Sequence, residues 1–185
     1  MQNNDSYYRW GGLLGGFSCS ILSCDKTENS VGSYDYWIIK IDSLGNIVWQ
    51  NDIGGDSYDD MHQIDKTIDG GYILGGYSNS DISGDKTENG VGFWSDYWII
   101  KVDSLGNIQW QNTIGGNQND ALFSIHQTID GGYIMGGISS SNISGDKSEN
   151  IIGGNMNTWD YWIVKTNSIG VVQWDKTIGA MTLII

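Results

Sequence analysis

Apolar and polar positions alternate along this chain in short runs, separated by clusters of glycine, aspartate, asparagine and serine. The run at 97–102, YWIIKV, shows the pattern most fully. Trp98, Ile100 and Val102 fall on one face of an extended segment, and Tyr97 and Ile99 on the other. A strand that is apolar on both faces is covered on both faces. Three more runs of this kind surround it, at 61–68, at 72–78 and at 108–114. Asp69-Gly70-Gly71 predicts a tight hairpin between the first two, because glycine readily takes a positive φ. Residues 103–107, DSLGN, predict a second turn between the last two. The second and third runs are joined by a loop of roughly eighteen residues, 79–96, which is long for a compact domain. Gly75 and Gly76 sit inside the second run, where glycine marks a bulge or a close backbone approach. No segment keeps a helical period over three turns, so almost no helix is predicted.

The same order of runs recurs. DYWIIKVDSLGNIQWQNTIGG at 96–116 has near copies at 35–55, DYWIIKIDSLGNIVWQNDIGG, and at 160–180, DYWIVKTNSIGVVQWDKTIGA. Trp37, Trp98 and Trp162 are 61 and 64 residues apart, as are Trp49, Trp110 and Trp174. Gly15-Gly16, Gly75-Gly76 and Gly136-Gly137 are 60 and 61 apart, so length variation is confined to the long loop. Stacked supersecondary units tolerate variation of that kind. Four short sequential strands with two apolar faces describe a propeller blade. The expected fold is therefore all-β: three β-propeller blades, each a four-stranded antiparallel meander. They form a single repeat domain over 1–185, with blades at about 1–55, 56–116 and 117–180. Residues 181–185 could begin a further strand. The six repeated tryptophans are expected in the core. Propellers typically close with four to eight blades. Three blades are thus expected either to complete a ring by self-association, two copies making six, or to belong to a longer propeller. Head-to-tail contacts that do not close would give a filament.

The chain is acidic, with 22 Asp and Glu against 9 Lys and Arg in 185 residues. This argues against nucleic acid and anionic membrane surfaces, which are bound through basic patches. No run approaches the length of a membrane span. Residues 1–5 lack the charged and apolar regions of a signal peptide. Cys19 and Cys24 are the only cysteines, and no histidine lies near them in sequence to complete a zinc site. A local disulfide and two free thiols both stay open.

The strings SGDKTEN, DYWIIK-D, GNI-WQ-TIGG and TIDGGYI-GG together resemble the roughly sixty-residue repeat of secreted and surface proteins in bacteria with type IX secretion. The resemblance covers about residues 11–178. It implies a β-propeller, an extracellular or cell-surface location, and a binding or scaffold role without catalytic residues. The chain departs from that pattern in having three units and no recognisable sorting tail, so export is implied by the resemblance alone.

Two sets of loop residues are candidates for chemistry. Asp81, Ser83, Asp85 and Glu88 place oxygen side chains at short steps, and Asn142, Ser144, Asp146 and Glu149 repeat them. Calcium takes six to eight oxygens, so this is a candidate calcium loop, although its spacing does not match an EF-hand. The first unit breaks the pattern with Ile21 and Cys24. Turn chemistry, in which Asp and Ser cap their own backbone, explains the same residues. Trp94 and Trp159 precede the Tyr-Trp strand, and Tyr34 occupies a similar place. Aromatic faces beside polar groups build sugar sites, which points to a lectin-like module; rings packed between blades are the alternative. His62 and His126 occupy different repeat positions, aligned with Phe123 and Asp65 respectively, and neither lies near a glycine-framed nucleophile. No catalytic residue is assigned. The expected function is a non-enzymatic surface scaffold or interaction module that can self-assemble. A carbohydrate-binding lectin is the second expectation, and a glycan-degrading enzyme with paired carboxylates the third.

Overall fold

The computed structural model describes residues 11–22, 24–152 and 158–179, and among these the chain is all-β with no helix. The first sheet is β1 (Gly12–Ser18), β2 (Asp35–Ile41) and β3 (Ile47–Ile53). The second is β4 (Asp59–Lys66), β5 (Tyr72–Ser78), β6 (Asp96–Val102) and β7 (Ile108–Ile114). The third is β8 (Asp120–Gln127), β9 (Tyr133–Ser139), β10 (Asp160–Thr166) and β11 (Val172–Ile178). Each sheet is a blade-like antiparallel meander in sequential order, and the three do not close into a ring. The place where the first unit would carry its opening strand lies outside the described residues, as does 181–185.

The first strand of each complete unit starts and stops two residues earlier than the sequence suggests. Asp59 joins the strand because its N–H donates to Tyr34 O of the preceding unit at 2.8 Å, and Asp120 does the same to Ser95 O at 2.7 Å. Thr67 leaves it for the turn, where its carbonyl accepts from Gly70 N and its hydroxyl donates to the Asp69 carboxylate. Gly70 holds a φ of 86°, the left-handed value this hairpin requires. Both expected roles of the paired glycines occur together. The register shifts between Met61 and Gln63 opposite Gly76 and Gly75, leaving His62 as a bulged residue. Phe123 is bulged at the same place in the third sheet.

The core is two seams between sheets. Tyr36, Ile38, Ile53, Met61, Leu74, Trp98 and Ile100 fill the first. Ile73, Tyr97, Ile99, Leu122, Ile125, Met135 and Trp162 fill the second. β6 therefore sends alternate side chains into different seams, as its two apolar faces demand. The seams share one set of contacts. Tyr36 donates its hydroxyl to Trp98 O at 3.1 Å, and Tyr97 donates to Trp162 O at 3.0 Å. Asp85 N donates to Gly54 O at 2.8 Å, and Asp146 N to Gly115 O at 2.9 Å. Met61 of the second sheet faces Gly15 of the first, and Leu122 of the third faces Gly75 of the second. The absent Cβ in each case is what lets neighbouring sheets approach.

Candidate functional site

The long loops carry the candidate calcium residues, and their oxygens hold the loops in place. The Ser83 hydroxyl donates to Asp81 O and accepts from Asp56 N, both at 2.9 Å. The Asp81 carboxylate accepts from Gly90 N, that of Asp85 from Gly54 N, and that of Glu88 from Thr113 N. In the third unit the Ser144 hydroxyl donates to Asn142 O and accepts from Asn117 N. Asp146 accepts from Gly115 N, and Glu149 accepts from Thr177 N and pairs with Lys176. Several of these bonds cross to the preceding sheet, so the loop is part of the seam. Among the described residues no group of three or more His, Cys, Asp or Glu side chains gathers to hold a metal ion.

A buried charged layer lies beneath these loops. Lys86 and Lys147 bond Thr113 and Thr177 and stand 5.1 Å from the centroids of Trp98 and Trp162. In the first unit Lys26 meets Asp52 instead, an ion pair at the position of those threonines. Burial lowers the Lys86 ammonium to about 8, against the pull of Asp59 and Asp96. The carboxylates respond in the opposite sense. Burial pushes Asp96 up to about 7, although Val91 N donates to it at 2.6 Å. Burial also raises Asp59 and Asp120, each of which accepts from a backbone N–H and a serine hydroxyl. Asp35 is raised to about 7, chiefly by burial and next by the neighbouring Asp52 carboxyl. The first glycine of each IGG string clears these carboxyls: a Cβ on Gly54 would lie 2.1 Å from Asp35 Oδ1, and one on Gly115 1.7 Å from Asp96 Oδ1.

The loop aromatics do not form one shared site. Tyr34 packs edge-on against Phe17 at 5.2 Å and against Tyr58 of the next sheet at 5.3 Å. Trp94 is half exposed on its own loop. Trp159 lines a cavity of about 460 Å3 with Ile138, Thr158, Asp160, Tyr161 and Ile178. The histidines sit on the bulged first strands and meet the residues aligned with them. His62 stacks edge-on with Phe123 at 5.0 Å, and His126 Nδ1 lies 2.9 Å from Asp65.

Uncovered blade faces are expected from three unclosed units; which side chains they carry is seen only in the structure. On the far side of the third sheet Tyr161 is 67% exposed, whereas its counterpart Tyr97 is fully buried. Ile178 is 49% exposed, and its counterpart Ile114 is buried. Phe123, Gly136, Tyr161, Ile163 and Ile178 line an apolar hollow of about 290 Å3 there. Trp174 is 49% exposed, which corrects its placement in the core. Trp49 and Trp110 are partly buried because each packs against the next sheet, and among the described residues no further sheet lies against Trp174. Among the described residues the far side of the first sheet is uncovered in the same way: Leu14 is 55% exposed and its counterpart Leu74 is buried. Trp37 is partly buried there, while Trp98 and Trp162 are fully covered. The signal for this surface was present in the sequence, since Tyr161 and Trp174 repeat residues that are seam contacts in the preceding units. Contiguous apolar surface of this kind marks an interaction site. Neither a scan against protein-family models nor a search among curated proteins returns a match to this chain.

Proposed function

We propose that this chain is a non-enzymatic interaction module of β-propeller type, which works by docking another body onto its bare sheet faces. One observation carries the reading: Tyr161, the counterpart of a fully buried tyrosine, stands 67% exposed over an apolar hollow. A hydroxyl, a ring and a hollow that are sealed in the preceding unit are here presented to solvent. The sealed aspartates support a structural rather than catalytic role, since Asp59 and Asp120 are fully buried among serine and backbone donors. The resemblance noted above adds an extracellular or cell-surface location. Hydroxyl-radical footprinting of dilute protein tests the reading. Tyr161 and Trp174 label readily and Tyr97 does not; equal protection of all three overturns it.

A second reading, a lectin-like module, draws on the cavity beside Trp159, which combines a ring with Thr158 and Asp160. Docking is favoured because Tyr34, the residue just before the strand in the first unit, packs against the following sheet. A glycan array with binding lost in Trp159→Ala would reverse that preference.

A further inference from the structure

We propose that a second copy of this chain covers the bare face of the third sheet with the bare side of its own first sheet, and that Cys24 makes this joint looser than the two seams inside the chain. The inference rests on the docking reading above. Each copy contributes three sheets. Two copies make six, within the four to eight of closed propellers, whereas one or three copies make three or nine. A two-copy ring contains the joint twice.

The internal seams show what the joint must supply, and two of their contacts have one half on each described face. In both seams a tyrosine hydroxyl reaches a tryptophan carbonyl across a glycine. An added Cβ on Gly76 or Gly137 would stand 2.7 Å from the hydroxyl of Tyr36 or Tyr97. The third sheet presents Tyr161 for this contact. The first sheet presents Trp37 and Gly16, and no described residue lies within 4 Å of a Cβ built on Gly16. In both seams a tryptophan ring lies on a turn glycine: Cβ atoms on Gly106 and Gly170 would approach Trp49 and Trp110 to 3.0 and 2.7 Å. Trp174 is the bare ring, and Gly45, with nothing within 4 Å of its built Cβ, is the bare turn. Gly75 receives Leu122 and Ile125, and at Gly136 no described residue lies within 4 Å of a built Cβ; the first-unit positions that correspond to Leu122 and Ile125 lie outside the described residues. Such complementarity between unlike faces is what a head-to-tail contact needs.

One position does not fit. Gly84 and Gly145 have φ values of 53° and 54°, and a Cβ there would lie 2.3 and 2.4 Å from Gly54 O and Gly115 O of the preceding sheet. The first unit carries Cys24 at this place with a φ of 48°. Its Cβ points where the carbonyl of the partner's Gly179 would seat. The loop must stand off there, and the hydrogen bond that Asp85 and Asp146 make through their N–H groups is weakened at Asp25. The apolar part of the joint closes while its loop edge gapes.

Sedimentation velocity of the full chain under reducing conditions, between about 1 and 200 µM, tests this. The mass is expected to double within that range. Gly136→Val, which fills the hollow, and Tyr161→Asp, which puts a charge into it, each weaken the dimer by roughly thirtyfold or more. Both sites are open in the single copy, so the thermal midpoint of the dilute variants stays near that of the parent. Cys24→Gly tightens the dimer by about tenfold or more, since one hydrogen bond is restored at each of the two joints. A chain that remains monomeric throughout overturns the proposal and leaves a different occupant for the face. A dimer indifferent to Gly136→Val and Tyr161→Asp overturns this joint, while the docking reading survives if the footprint holds. A dimer weakened by those two but unchanged by Cys24→Gly overturns the role given to Cys24.

Discussion

The second and third sheets are built from nearly the same residues and end in opposite states. DYWII in the second is entirely buried, whereas in DYWIV of the third Tyr161 faces solvent. Gly75 is pressed by Leu122 and Ile125, and Gly136 by no described residue. Local sequence made both strands alike. Only a neighbour makes one of them core, so exposure in this fold is a property of the stack rather than of the unit.

Matched substitutions in the two sheets sharpen that contrast, and equal effects would break it. Gly75→Val forces a branched side chain where even a Cβ would approach Leu122 and Ile125 to 2.7 and 2.8 Å. Expected destabilisation by urea unfolding is about 3–5 kcal/mol, while Gly136→Val in the dilute chain is neutral or stabilising by about 0.5 kcal/mol. The buried carboxylates come next. Asp96 is raised by burial to about 7 from 3.8, so the folded chain binds the proton more tightly than the unfolded chain between those values. Its contribution is full below the unfolded value and is lost as pH rises through about 7. Unfolding free energy therefore falls between about pH 4 and pH 7, and Asp96→Asn flattens the decline by about 2–4 kcal/mol. Asp69 and Asp130 work the other way. Held down to about 2 by Thr67 and Thr128 and then by Lys101 and Lys165, they lose stability as pH falls below the ordinary carboxylate range. Maximum stability is thus expected near pH 4–5.

Smaller effects follow the same comparison. Trp110→Ala removes a ring that lies over Gly170 and 5.6 Å from Tyr133, costing about 2 kcal/mol. Trp174→Ala costs under about 0.5 kcal/mol in the dilute chain, since no sheet covers it. Tyr97→Phe loses a buried hydroxyl bond to Trp162 O, about 1 kcal/mol. Tyr161→Phe should be silent in thermal unfolding of the dilute chain. A Trp174 variant as damaging as Trp110→Ala would mean that the face is covered within the single copy.

Much of the fold was legible beforehand. Strands β5 and β7 occupy the predicted runs 72–78 and 108–114, because glycine turns and apolar alternation bound them on both sides. The first strands were misplaced by two residues because Asp59 and Asp120 enter them through hydrogen bonds to residues 25 positions earlier, which no local pattern reveals. The loop residues Asp81, Ser83, Asp85 and Glu88 were legible as oxygen donors. Their destinations were not, since Gly54 and Asp56 lie in the connection after β3 and Thr113 in β7, all more than twenty residues away along the chain. Buried lysines were also hidden: Lys86 sits in a string that reads as a polar turn, and only the ring of Trp98 beneath it and the sheet beside it take it out of water.

By itself the sequence determined the strands, their turns and the two apolar faces of each unit, because alternation and left-handed glycines act over a few residues. Tertiary structure decided which face is covered and which is bare. Burial of Tyr97 and exposure of Tyr161 depend on whether another sheet arrives, and that contact lies more than sixty residues away along the chain.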